Sequence, residues 1–153
     1  GGGFCLAMAC DIRLAAESAY FRAAGINNGL TSAELGLSYL LPRAIGSSRA
    51  GEIMLTGRDV DSTEADRIGL VSRVVPDDQL LDRAYEMAAP IIGFSRIGVE
   101  LSKRMLSSSL DASSLRAHMD HEGNAQLYVR LTTRNFEEAI AARRAGRQPE
   151  FND

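Results

Sequence analysis

Gly1-Gly2-Gly3-Phe4-Cys5-Leu6-Ala7-Met8-Ala9-Cys10-Asp11 is the stretch from which the rest of the chain is read. Three glycines let the backbone turn tightly and come close to another atom, and the small apolar residues behind them can begin a helix whose first N–H groups have no internal partner. Such groups attract negative charge. A flexible end or simple tight packing would use the same residues, so the later landmarks of the chain decide between these readings.

With 153 residues, 45% hydrophobic and 24% charged, the chain is long enough for a packed core and its balance is that of a globular protein rather than a disordered one. A net charge of -3, with acidic and basic residues interspersed, offers no basic stripe and no polybasic patch, which argues against nucleic-acid and membrane partners. Cys5 and Cys10 have no His or further Cys at metal-ligand spacing, so no metal is expected. Buried reduced thiols would suit a cytoplasmic setting. No apolar run approaches the roughly 18 residues of a membrane span. A chain that opens inside a glycine turn is expected to have begun earlier.

In order, the pattern predicts a helix over 4–9, then short strands over 12–16 and 19–22 with a turn at Glu17-Ser18. Gly25-Ile26-Asn27-Asn28-Gly29 is loop chemistry. Thr31-Ser32-Ala33-Glu34 has the spacing of a capping box, predicting a helix from Thr31 to Gly46 that bends near Pro42. Ser47 is expected to cap a helix ending at Gly57, and Asp61-Ser62-Thr63-Glu64 repeats the cap pattern before a helix closed by Gly69. Residues 70–75 read as a strand. Beyond Pro76 the chain reads as helix throughout: one capped by Asp77 or Asp78, one opened by Ser95, one started by Asp111, and one over 135–145.

These landmarks resemble the crotonase superfamily, the enoyl-CoA hydratase/isomerase family. The glycine turn and helix ending in Asp11, Pro42-Arg43-Ala44-Ile45-Gly46, Leu55-Thr56-Gly57, the segment Gly69 to Pro76, and the closing Arg143-Arg144 with Pro149 and Phe151 stand in the family's order and separation. The resemblance implies an α/β chain: the C-terminal portion of a crotonase-like ββα spiral in residues 1–76, followed by a helical trimerisation region in 77–153. Family members are longer, so the missing first part would supply most of the spiral and one of two oxyanion-hole donors. The N–H of Gly2 would be the other. The implied ligand is an acyl-CoA thioester, with coenzyme A carried by the substrate and no separate cofactor, and the implied assembly is a homotrimer or hexamer.

The resemblance also marks a departure. A hydratase carries two glutamates that grip one water, at the positions held here by Cys5 and Gly25, and neither residue can act as a carboxylate base. Cys5 reads as a small core hydrophobe. Glu34, ahead of Leu35-Gly36, falls where isomerase-type relatives carry their catalytic acid, and one carboxylate suffices to move a proton between two carbons. As the fourth residue of the capping box, Glu34 could instead bond the N–H of Thr31. Gly3, Asn27, Asn28 and Tyr39 are candidate substrate-binding residues, although turn geometry accounts for the asparagines and packing for Tyr39. His118 and His121 read as a solvated helix face, and Arg143 and Arg144 as a weak candidate for coenzyme A phosphates. Three functions stay open: a double-bond isomerase using Glu34, a family member that binds or assembles without catalysis, and a hydratase using an unexpected acid.

Overall fold

The computed structural model describes residues 1–153. They divide into two compact units, Gly1–Tyr85 and Glu86–Asp153. The first begins with α1 (Gly2–Ala9), β1 (Leu14–Ala16) and β2 (Tyr20–Phe21), followed by a single 3-10 turn at Ile26–Asn28. It continues through α2 (Leu37–Ile45), α3 (Ser47–Thr56), β3 (Val60–Asp61), α4 (Ser62–Arg67) and β4 (Arg73–Val75). A 3-10 turn at Asp77–Gln79 leads into α5 (Leu80–Ile92), which crosses into the second unit.

The strands are two or three residues long and form two separate pairs. β1 pairs in parallel with β4, Leu14 facing Arg73 and Ala16 facing Val75, while β2 pairs antiparallel with β3, Tyr20 facing Asp61. A parallel pair needs a long crossover, and residues 17–72 supply it. Glu17-Ser18 does turn the chain, with Ala19 N–H donating to Ala16 O at 3.0 Å, but the strands on either side of it pair elsewhere. The end of the crossover is tied down by Arg13, whose Nε donates to Leu70 O at 2.6 Å and whose Nη1 donates to Cys10 O at 2.8 Å.

Phe4, Cys5 and Met8 share the buried face of α1 and join Leu37, Leu41, Ile53, Val60 and Leu70 in one core. Phe4 also meets Phe21, ring centroids 5.3 Å apart. Two expected elements change here. The strand predicted over 70–75 shortens to Arg73–Val75, because Gly69 at φ 76° ends α4 and Leu70 N–H folds back onto Ala65 O at 2.8 Å. The helix predicted from Thr31 starts only at Leu37, because Leu35 and Gly36 hold φ 45° and 84°, which no right-handed helix can contain. Asp61 does cap α4, its Oδ1 accepting from Glu64 N–H at 2.7 Å.

The second unit is helical: the last turns of α5, α6 (Arg96–Ser109), α7 (Leu115–Thr132) and α8 (Asn135–Ala145). Ser95 caps α6 as expected, accepting from Gly98 N–H at 3.1 Å. The cap of α7 is Ser114 rather than Asp111, its Oγ accepting from Ala117 N–H at 3.2 Å. Asp77, considered as the cap of α5, instead accepts from Ser18 N–H and Oγ–H. His118 is paired with Glu122 at 3.5 Å with its side chain 11% exposed, so it is less open to solvent than the helix-face reading required.

Ala142 is the one buried hydrophobic residue of this unit, while Ile92, Phe94, Leu106, Leu115, Leu131 and Phe136 are exposed. A patch of that kind needs covering. Residues 1–153 produced alone are therefore expected to associate or to bind a hydrophobic fluorescent dye. A monodisperse monomer that ignores the dye and melts sharply would contradict this. No helix is long and apolar enough to cross a membrane.

Candidate active site

The glycine turn places two backbone donors at one end of α1. Gly1 O accepts from Phe4 N–H at 2.8 Å and from Cys5 N–H at 3.3 Å, so the first turn is closed by those two groups. Gly2 and Gly3, at the first two helical positions, carry N–H groups that no helical carbonyl can reach. The N-terminal nitrogen of Gly1 donates to Arg22 O, tying the turn to the end of β2. Between the three glycines, Tyr20 and Arg22 lies an open hollow of ≈ 400 Å³. Arg22 forms a two-pronged ion pair with Asp59, 2.5 Å on each prong, so its charge is already matched.

One turn along α1, Cys5 faces Glu34. The thiol Sγ donates to Glu34 Oε1 at 4.0 Å across 29 residues of sequence. Cys5 is 1% exposed, whereas Glu34 is exposed. Burial pushes the Cys5 thiol up from its ordinary value, and the negative charge of Glu34 adds to that, while the Gly1 amine and the backbone act in the opposite sense. The thiol therefore stays protonated around neutral pH, as a core hydrophobe with one weak donor.

Glu34 does not cap a helix. Thr31 Oγ1 accepts from Ala33 N–H at 3.0 Å, and Glu34 O accepts from Leu37 N–H at 2.8 Å, so the segment is an irregular turn leading into α2. The capping-box reading of Glu34 is thereby removed. Leu35, the next residue, is the one non-glycine residue at positive φ and its side chain is largely exposed. Backbone held in that region is strained, and its position beside the carboxylate fixes where Glu34 leaves the chain.

Gly25 is buried and sealed. A Cβ built on it would lie 2.0 Å from Thr31 O and 2.9 Å from Thr31 C, distances no side chain tolerates. Its own carbonyl accepts from Asn28 N–H and Leu30 N–H, each at 3.0 Å, so the loop is wound closely around it. The two asparagines serve that loop. Asn28 Nδ2 donates to Ala24 O at 3.1 Å, and the Asn27 amide lies over Gly57, where an added Cβ would meet Oδ1 at 2.5 Å. No hydrogen bond joins either of them to Cys5 or Glu34. Tyr39, on the first turn of α2, has the Arg43 guanidinium 3.4 Å above its ring.

Of the residues singled out in the sequence, the fold puts Gly2 and Gly3 at the start of α1 and brings Glu34 against Cys5 of the same helix. Sequence reading missed the Cys5–Glu34 contact, the strained Leu35 and the closure of Thr31 over Gly25. Each joins or depends on residues whose approach carries no local pattern.

This mostly helical chain with its small sheet matches crotonase-fold structures over its length. The sequence profile of the enoyl-CoA hydratase/isomerase family matches residues 1–153, and the chain belongs to that family. It is similar to a protein of Mycobacterium tuberculosis named probable enoyl-CoA hydratase EchA12, with 71% identity over all of this chain and 54% of the relative. The chain thus spans about half the length of the curated relatives it matches. A probable enoyl-CoA hydratase/isomerase of Mycobacterium abscessus superposes with a TM-score of 0.93 at 66% identity, covering 99% of this chain and 58% of that one. A monofunctional enoyl CoA isomerase of M. smegmatis superposes with a TM-score of 0.71 at 70% identity over 78% of this chain and 56% of that one.

Proposed function

We propose that the chain carries the proton-moving part of an enoyl-CoA isomerase. The observation that supports this reading is the exposed carboxylate of Glu34, which meets Cys5 of the helix that begins at Gly2, while Gly25 admits no side chain at all. The thioester oxygen accepts from Gly2 N–H and from a second donor outside these residues, which stabilises the negative charge that develops as an enolate forms. Glu34 takes a proton from C2 of a 3-enoyl thioester, the double bond moves to C2–C3, and the same carboxyl returns the proton to C4. Nothing is oxidised or reduced and no water is consumed. The acyl-CoA thioester supplies its own coenzyme A, and the exposed helical faces of the second unit suit assembly as a trimer or a dimer of trimers.

The test is a substrate panel on the full-length protein. 3-Enoyl-CoA and dienoyl-CoA are expected to rearrange, and 2-enoyl-CoA to gain no hydroxyl group. Rapid hydration of 2-enoyl-CoA would overturn the proposal, and tight thioester binding with no turnover of any of the three would favour a binding protein.

The two-glutamate hydratase mechanism requires carboxylates at positions 5 and 25. The double variant Cys5→Glu/Gly25→Glu is expected to gain no hydratase activity, because Thr31 O occupies the space the second side chain would enter. The minimal variant Gly25→Ala already tests the closure. Overpacking of this kind costs roughly 1–3 kcal/mol, and its thermal midpoint is expected to fall by several degrees. An unchanged midpoint, or a hydrating double variant, would show that the loop opens readily.

A further inference from the structure

We propose that Cys5 is a positioning residue for Glu34: its protonated thiol engages Oε1 and leaves the other carboxylate oxygen to take and return the substrate proton. The inference rests on the isomerase reading and deepens it. Its basis is the meeting of a fully buried side chain of α1 with an exposed carboxylate that has little else to hold it. The backbone of Glu34 lies in no helix or strand, and Leu35 and Gly36 behind it are both at positive φ. The bond that fixes the start of α2, Glu34 O to Leu37 N–H, orients the backbone but not the carboxylate. The hydrogen bond to that carboxylate comes from Cys5 Sγ at 4.0 Å.

The donor lies on a rigid element. Cys5 sits between Phe4 and the rest of the buried face of α1, and its N–H is spent on Gly1 O. The helix that presents the Gly2 donor therefore also holds the thiol, about one turn away on the same helix. Glu34 is in this way indexed to the oxyanion donor through α1. Burial together with the Glu34 carboxylate keeps the proton on the Cys5 sulfur. The thiol consequently donates through the catalytic cycle without competing as the acid.

The experiment compares Cys5→Ala and Cys5→Ser in the full-length protein. Alanine removes the donor with little change in volume, and serine keeps a donor on a shorter bond, further from Oε1 than the thiol at 4.0 Å. Cys5→Ala is expected to lower kcat about threefold, the worth of a weak hydrogen bond, with KM and the thermal midpoint nearly unchanged. Cys5→Ser is expected to lie near Cys5→Ala, because its shorter Cβ–O bond leaves the hydroxyl beyond hydrogen-bond distance of Oε1. Wild-type kcat in Cys5→Ala, or in Cys5→Ser, would overturn the assignment.

A second readout is independent of turnover. With the remaining cysteines replaced by serine, the thiolate absorbance of Cys5 is followed against pH with and without Glu34→Gln. Removing the negative charge is expected to move the thiol titration to lower pH. No movement would mean that the two groups do not meet. If Glu34→Gln leaves isomerisation intact while the thiol titration still moves, the proton-shuttle reading fails and the contact stands. If Glu34→Gln is inactive and Cys5→Ala is not impaired, the positioning role alone fails.

Discussion

Glu34→Gln is expected to lower the proposed isomerisation rate of the full-length protein by about 100- to 10,000-fold, the range lost when a positioned acid–base group is removed. The substitution is close to isosteric, and the glutamine carbonyl can still accept from the Cys5 thiol, but an amide cannot take a proton from one carbon and return it to another. Because Glu34 is exposed and caps no helix, the change should leave the thermal midpoint in place. A saturated acyl-CoA, which binds without reacting, should keep its affinity by calorimetry. That combination, lost turnover with retained binding, separates a proton shuttle from a residue that merely shapes the pocket. Unchanged turnover would remove Glu34 from the mechanism, and lost turnover together with lost binding would make it a binding residue.

The sequence signals that succeeded were local ones. Asp61 with Glu64 N–H and Ser95 with Gly98 N–H are caps whose partners lie three residues away, and α8 runs over Asn135–Ala145 as its periodicity suggested. Gly57 and Gly69 end helices at positive φ because only glycine adopts that conformation without strain. The same local logic misled at Thr31. The four-residue pattern there satisfies a capping box, yet the backbone reaches positive φ at Leu35 and cannot be helical through it. Nothing in Leu35 itself signals that conformation, since a leucine has no intrinsic preference for positive φ. Ser114 displaced Asp111 as a cap for a simpler reason: several capping residues lie in a row, and pattern alone does not choose among them.

The functional geometry depended on longer distances still. Cys5 could be read as a buried apolar residue, and it is one, but that reading contained no reference to Glu34, 29 positions on. Gly25 could be seen to lack a carboxylate. That Thr31 O closes the space as well is a property of the folded loop. The pairing of β1 with β4 across residues 17–72 likewise has no signature in either strand, each only three residues long. Ordered family landmarks supplied what periodicity could not, because their spacing encodes those distant contacts indirectly.

Gly2→Pro is expected to lower kcat by about 100- to 1,000-fold, the cost of losing one oxyanion donor. The position is unusually favourable for the test. Gly2 is the first residue of α1, where proline is well tolerated because its missing N–H has no helical partner to lose. Its φ is not in the positive region, and a Cβ added there meets nothing within 4 Å. The substitution thus deletes the N–H while disturbing little of the core formed by Phe4, Cys5 and Met8. Gly2→Ala is the matched control, since it adds the Cβ and keeps the donor, and its kcat should stay near that of the wild type. A proline variant as active as the alanine variant would mean that the charge is stabilised elsewhere. If both variants lose activity while folded, the glycine serves close approach of the substrate rather than donation. The two variants therefore distinguish the two physical reasons for a glycine at this turn, the freedom to come close and the exposure of an N–H, and only the second makes the start of α1 an oxyanion site.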